Sequence, residues 1–305
     1  MAIAAFSGSA PQTKSAPSKK SRIVLLLLLP GIAYLGLFFL TPLVSLIMTS
    51  FMAPDPDSFE MGAYVYAFQV QNYVAALAEY WPIFIRTFIY SITATIAALF
   101  IGYPIAYFIG VTARPWKFVQ ALALILVIAP FFISFLLRTL AWKQILGDEG
   151  WIVPGLKALS LMPPDGHLTG TPFSVIFGLT YNFLPFVVLP IYTSLEHMDL
   201  RLLEAGNDLY ARPSTTFWKV TFPLSLPGVV SGTLLTFIPA SGDYINASDD
   251  FLGGPGTQMV GNQIQSNFLK VLDYPTASVL SVVLMAIIMA VVAIYVRRSG
   301  TEDLL

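Results

Sequence analysis

Long apolar runs separated by polar stretches recur along the chain. The first covers Ile23–Phe51, and others cover Thr87–Val111, Phe118–Leu137, Thr171–Ser194, Leu224–Ala240 and Thr276–Val296. Each is close to the ~20 residues that carry an α-helix across a hydrocarbon core, the fifth being short. None alternates in the way a lipid-facing barrel strand does. The pattern therefore predicts an all-α integral membrane protein of about six transmembrane helices. A secretory signal would carry only roughly 7–15 apolar residues and a small-residue cleavage site. The stretch 23–51 is longer and has no such site, so it reads as a retained first helix, with Pro42 bending it.

Around these runs, residues 1–22 read as a disordered cytoplasmic tail in which Ser, Pro and Lys are frequent. Residues 52–86 read as an outer loop with an interfacial helix, and 297–305 as a second cytoplasmic tail. The transmembrane core is expected over 87–296.

Composition agrees: 56% of residues are hydrophobic and 11% charged, against about 25% charged in soluble domains. So few charges cannot solvate a water-facing surface of this size, and membrane lipid must cover much of it. Charge placement gives orientation. With the N-terminus inside, eleven of the sixteen Lys and Arg fall on cytoplasmic segments, while eleven of the seventeen acids fall outside. The basic bias follows the positive-inside rule and puts both termini in the cytoplasm. Two readings of the acidic outer face stay open. It concentrates cationic solutes, or it is what topology leaves once outer Lys and Arg are depleted.

Most cytoplasmic connections are short, but 195–222 is long and patterned. Asp199 can cap a helix beginning Leu200-Arg201-Leu202-Leu203. Leu202, Leu203, Gly206, Leu209 and Tyr210 then share one face. Arg201 and Glu204 are spaced to pair on the other. Pro213 suits the first turn of a second short helix, and Pro223 and Pro227 are expected to break the chain back into the membrane. The result is a two-helix knob.

Within this knob, Glu204-Ala205-Gly206, three residues, Tyr210, nine residues, Val220, one residue, Phe222-Pro223 resembles the EAA loop of permease subunits of type I ABC importers. That family's pattern is Glu-Ala-Ala, three residues, Gly, nine residues, Ile, one residue, Leu-Pro. The loop also falls between the fourth and fifth of six spans, as in the family. Gly206 replaces the second Ala. Tyr210 replaces a Gly whose left-handed backbone a tyrosine resists. The resemblance implies the type I importer permease fold and docking on an ATPase subunit through Glu204, Ala205, Gly206, Tyr210, Ala211 and Pro213. It also implies a second homologous permease, two ATPase subunits that bind ATP and Mg, and an extracytoplasmic solute-binding protein. That protein would dock on the outer loops around 53–82, 147–170 and 241–275, and the location would be a bacterial inner membrane.

Three further stretches resemble permeases of spermidine/putrescine importers. They are Leu136–Trp142 leading to Ile145-Leu146-Gly147, Tyr181–Tyr192, and Phe237–Tyr244 with Leu252-Gly253-Gly254. A polyamine path needs spaced carboxylates and aromatic walls, which singles out Asp243, Trp142, Tyr181 and Tyr244. Asp243 reads as a path carboxylate or as an interfacial acid bathed in water. The aromatics read as walls or as the usual interfacial belt. Other importer cargoes (an amino acid, an oxyanion, a metal chelate) share fragments of these patterns.

Chemistry in the chain itself is not expected. No Gly-x-x-x-x-Gly-Lys-Ser/Thr motif occurs. Gly253-Gly254-Pro255-Gly256 has no Lys after it and reads as a turn. There is no Cys, and His167 and His197 stand thirty residues apart without a ligand cluster. No cofactor or metal is expected in this chain. A self-sufficient channel or ion-driven carrier would show buried charges within its spans or a matched internal repeat; neither is apparent.

Overall fold

The computed structural model of the chain describes residues 19–58 and 60–298. It divides near Met48 into two compact units. The first is an apolar rod of α1 (Lys19–Leu35), a π turn (Gly36–Leu40) and α2 (Thr41–Thr49). The π turn ends just before Pro42, whose missing N–H disrupts the regular ladder there. Most of the tail expected over 1–22 lies outside the described residues, but Lys19–Arg22 are already helical. The rod thus begins before Ile23. Residues 299–305 of the second expected tail also lie outside, and Arg297 and Arg298 are the last turn of α12.

The second unit opens with a small antiparallel pair, β1 (Ala53–Pro54) and β2 (Tyr64–Val65). Then comes α3 (Gln71–Tyr107), continuous through Pro82 and Pro104 and prolonged by a π turn to Thr112. Within the outer loop expected over 52–86, α3 already begins at Gln71, and among the described residues no separate helix precedes it there. Its first turn is pinned by Asn72, whose Nδ2 donates to the Ser50 and Met52 carbonyls at 3.0 and 2.9 Å. Further on, Phe84 packs with Val279 and Leu280.

The third span departs more sharply. Here α4 (Lys117–Ile128) tightens into a 3-10 turn (Ala129–Phe132) and the chain then bends by 97° into α5 (Phe135–Leu146). The straight span expected over Phe118–Leu137 is therefore broken at Ile133 and Ser134, both extended. Pro130 removes an amide from the ladder just upstream. A short α6 (Ile152–Ala158) precedes α7 (Pro172–His197), which starts on a Thr171–Ser174 capping box.

After the elbow helices α8 (Arg201–Asp208) and α9 (Pro213–Thr216), a π turn (Phe217–Thr221) leads into α10 (Phe222–Ser241). Helix runs without a break from Pro213 to Ser241, 29 residues. Pro223 and Pro227 do not break it: Pro223 sits in the first turn of α10, where its N–H is not needed, and Pro227 lies one turn on. The fifth span is consequently not short, and the second elbow helix is its first part. α11 (Val260–Ser266) and α12 (Tyr274–Arg298) complete the unit. Among the described residues, five helices are long and apolar enough to cross a membrane, and the bent α4–α5 pair makes six if taken as one crossing.

α3, α7 and α10 form the packed centre. Ala98, Ala106 and Ile109 interlock with Val187, Val188, Ile191 and Leu195 on α7. Towards the other end Tyr90, Val175, Leu179, Phe183 and Ala240 do the same. With lipid as solvent, close backbone approach drives helix association, so small residues line the contacts. Gly228 of α10 is a tight case: a Cβ there would stand 2.5 Å from the Pro190 carbonyl oxygen.

Candidate functional site

Two places on the molecule carry the candidate residues, one at each end of the continuous Pro213–Ser241 helix.

The elbow is a closed turn. Asp199 caps its start, Oδ1 accepting from the Arg201 N–H at 3.0 Å. α8 ends in a Schellman arrangement: the Ala211 N–H reaches the Gly206 carbonyl at 3.0 Å and the Tyr210 N–H reaches that of Asn207 at 2.9 Å. Tyr210 sits at the residue that must turn left-handed, and it does so at φ 54°. Tyrosine takes the glycine geometry in full, at a strain of about 1–2 kcal/mol. Its ring gains nothing from its own chain, being 96% exposed. Gly206 has a local reason to lack a side chain, since a Cβ would meet Thr216 Oγ1 at 3.0 Å where α8 crosses α9. Pro213 begins α9 as expected. Glu204, Ala205, Leu209 and Tyr210 stand exposed, with Ala211 half-buried behind them. The expected Arg201–Glu204 pair does not form: among the described residues His167–Asp148 is the one ion pair.

At the other end of this helix Asp243 follows α10 directly, after Gly242. It is not bathed in water; it is 7% exposed. Its Oδ1 accepts from the Asn246 N–H at 2.8 Å and its Oδ2 from Asn246 Nδ2 at 3.1 Å. Burial pushes the carboxyl up to about 6, against the pull of these bonds and of the Ile245 and Ala247 amides. Asn246 Oδ1 in turn accepts from Asn182 Nδ2 at 3.0 Å, and Asn182 Nδ2 also donates to Thr139 Oγ1 at 3.1 Å. A buried polar chain thus joins the loop after α10 to α7 and α5.

Trp142 and Tyr181 meet edge to face at 5.2 Å, and Trp142 meets Phe177 at 4.7 Å. The structure brings this pair beside the polar chain, since Trp142 is three residues from Thr139 and Tyr181 precedes Asn182. Tyr244 is half exposed, and among the described residues no ring contact joins it to them; its carbonyl instead accepts from Asn262 Nδ2 at 2.6 Å.

Four residues here were not singled out from sequence: Arg138, Thr139, Asn182 and Asn246. The available signal was a polar residue inside an apolar run, as in Phe-Leu-Leu-Arg-Thr-Leu. Arg138 fell one position past the expected end of the third span, which concealed that it is buried.

Residues 104–299 match the family described as binding-protein-dependent transport system inner membrane component. The spermidine/putrescine transport system permease protein PotB of Escherichia coli K12 is 34% identical over 269 residues, 88% of this chain and 94% of that one. PotB of Haemophilus influenzae is 33% identical over 268 residues, 88% of this chain and 91% of that one. Among solved structures, a bacterial ABC transporter involved in alginate import matches with a TM-score of 0.67 at 15% identity, covering 93% of this chain and 97% of that one. With the elbow between the fourth and fifth spans and these matches along most of its length, the chain belongs to the binding-protein-dependent transport system inner membrane component family, as a permease subunit of an ABC importer.

Proposed function

We propose that this permease forms half of the path for a polyamine of the spermidine or putrescine kind, and that its 195–222 elbow receives the stroke of an ATPase subunit. The observation that carries the coupling half is the unbroken helix Pro213–Ser241. At 1.5 Å per residue it is a rod of about 43 Å. One end is the second elbow helix and the other delivers Gly242 and Asp243 to the outer mouth. Force applied at the elbow therefore reaches the mouth through one element, and no flexible joint intervenes to absorb it.

On this reading Glu204, Ala205, Leu209 and Tyr210 fill a cleft on the ATPase, while Gly206, Ala211 and Pro213 shape the turn that presents them. A second homologous permease, two ATPase subunits that hold ATP and Mg, and an extracytoplasmic binding protein complete the complex. Both termini face the cytoplasm. Nucleotide and loaded binding protein then bias the same two-state bundle from opposite sides.

Polyamine cargo is supported by the PotB relatives, by the acidic excess of the outer segments, and by the Trp142–Tyr181 pair, whose faces suit ammonium groups. Asp243 serves the path from within its loop, and Tyr244 stands at the rim. The deciding measurement is ATPase activity of the reconstituted complex with cognate binding protein, challenged with polyamines, amino acids and oxyanions. Stimulation by polyamines alone is the expected result, and stimulation by another class with none by polyamines would overturn the cargo assignment.

A further inference from the structure

Two buried charges near the outer mouth have no partner of opposite sign. Arg138 is 7% exposed, and its Nε and Nη1 are sealed from solvent with no hydrogen-bond partner. The face of Phe135, its centroid 5.7 Å from the guanidinium carbon, and the nearby Tyr181 give it partial compensation. Asp243 is equally buried and is held only by amides of its own loop. An ionised group withdrawn from water is strongly unfavourable unless it is paired. Arg138 is a donor-only cation without an acceptor, and Asp243 is an acceptor-only anion whose bonds come from neutral amides.

They lie on elements already stitched together. α5 carries Arg138, and it is tied to the loop after α10 at two points. Thr139, Asn182 and Asn246 form the chain that ends on Asp243. One turn beyond Thr139, Lys143 Nζ donates to the Asp250 carbonyl at 2.7 Å. Asn182 Oδ1, in the middle of the first link, is itself buried without a partner. The seam thus leaves the Arg138 donors and the Asn182 Oδ1 acceptor without partners in this arrangement. A protonated polyamine has donors only, so it serves acceptors such as Asn182 Oδ1 and Asp243 and leaves Arg138 without a partner.

We propose that Arg138 and Asp243 pair with each other in the opposite access state, locking the outer mouth, and that Asn246 takes over Asp243 in the state seen here. The switch rests on the reading of the chain as an ATP-driven permease. The rod ending at Ser241 supplies the motion, since a shift of α10 carries Asp243 along α5. Arg138 is then a positioning residue: it closes the mouth against back-flow and yields Asp243 when the mouth opens.

The chain contains no cysteine, so Arg138→Cys with Asp243→Cys gives a clean probe. In complexes that hydrolyse ATP, oxidative cross-linking is compared between the nucleotide-free state and the state trapped with ATP and vanadate. A yield several-fold higher in one state supports the switch, and equal or absent cross-linking in both overturns it. Should the cysteine pair fail to assemble, the exchange Arg138→Asp with Asp243→Arg decides. Stimulation of ATPase by the binding protein, read without cargo, several-fold above either single variant supports pairing, and stimulation no better than the singles removes it. An oxyanion that stimulates ATPase only while Arg138 is present would assign the guanidinium to cargo and also overturn the pair. The cross-link is read without cargo and only in complexes with active ATPase, so its failure leaves the permease reading and the polyamine assignment standing.

Discussion

The Tyr103 hydroxyl of α3 meets the Ser225 hydroxyl of α10 at 2.8 Å, where the π turn passes the elbow into the fifth span. The Tyr103 ring also packs against Phe217 and Phe222 at 5.6 and 5.9 Å. One side chain thus braces both ends of the π turn. Tyr103→Phe keeps the packing and removes one hydrogen bond, leaving Ser225 its bond to the Phe222 carbonyl at 2.9 Å. The expected loss is about 1 kcal/mol, seen as a lower melting temperature of the purified complex. Transported cargo per ATP should fall as the helix loses this footing on α3; an unchanged ratio would show that the brace has no part in coupling.

Tyr210 separates local geometry from partner binding. Tyr210→Gly relieves the left-handed strain but makes the unfolded loop freer, so the net gain in stability should be only about 0.5–1 kcal/mol. Exposed tyrosines at interface centres frequently contribute 2 kcal/mol or more to binding. ATPase affinity should therefore fall on the order of 30-fold even as the permease becomes slightly more stable. A titration of ATPase subunit onto permease in detergent measures this, and unchanged affinity would remove the ring from the interface.

Glu204 tests the same surface by charge. It is exposed and, among the described residues, in no ion pair, so Glu204→Lys should leave folding and membrane insertion intact. Reversing this charge on the proposed docking face should lose the ATPase from the purified complex or uncouple its hydrolysis from uptake. Normal uptake by this variant would count heavily against the docking role.

Much of this architecture is legible in the chain, because a hydrophobic run of span length has few alternatives in lipid. The elbow is legible for a different reason: Asp199, Gly206 and Pro213 each act on the backbone within a few residues. What misleads is proline. Pro223 and Pro227 read as breaks, yet both lie within continuous helix, where packing by neighbouring helices and side-chain hydroxyls tolerates the lost N–H. Ser231 Oγ, for example, donates to the Pro227 carbonyl at 2.8 Å. The outer polar chain stays hidden because Thr139, Asn182 and Asn246 are far apart in sequence and meet only through tertiary packing.

Gly228 gives a test of how tightly the rod is seated. A Cβ at this position would lie 2.5 Å from the Pro190 carbonyl oxygen and 2.8 Å from Ile191 Cα, both backbone atoms that cannot turn aside. Gly228→Ala should therefore force α10 away from α7 at a cost of about 3 kcal/mol, although alanine is the better helix former. Gly31, where an added methyl would have nothing within 4 Å, is the control at which the same change should stabilise slightly. Thermal melting of both variants checks the contrast.

Asp243 gives the pH test. Its carboxyl is raised to about 6 in the folded chain, against about 3.9 for an unfolded aspartate. Between these values the folded state holds a proton that the unfolded state has released. Unfolding free energy therefore falls as pH rises from about 4 to about 6 and is flat above, with a total change of roughly 3 kcal/mol. Asp243→Asn cannot ionise and should flatten this segment of the profile while weakening polyamine uptake at neutral pH. Melting temperatures of both proteins across about pH 4 to 8, a range that brackets both carboxyl values, measure the first effect and radiolabelled uptake the second. A profile with the same slope in the variant would mean that the acid-range dependence comes from other carboxylates, and undiminished uptake would take Asp243 out of the path.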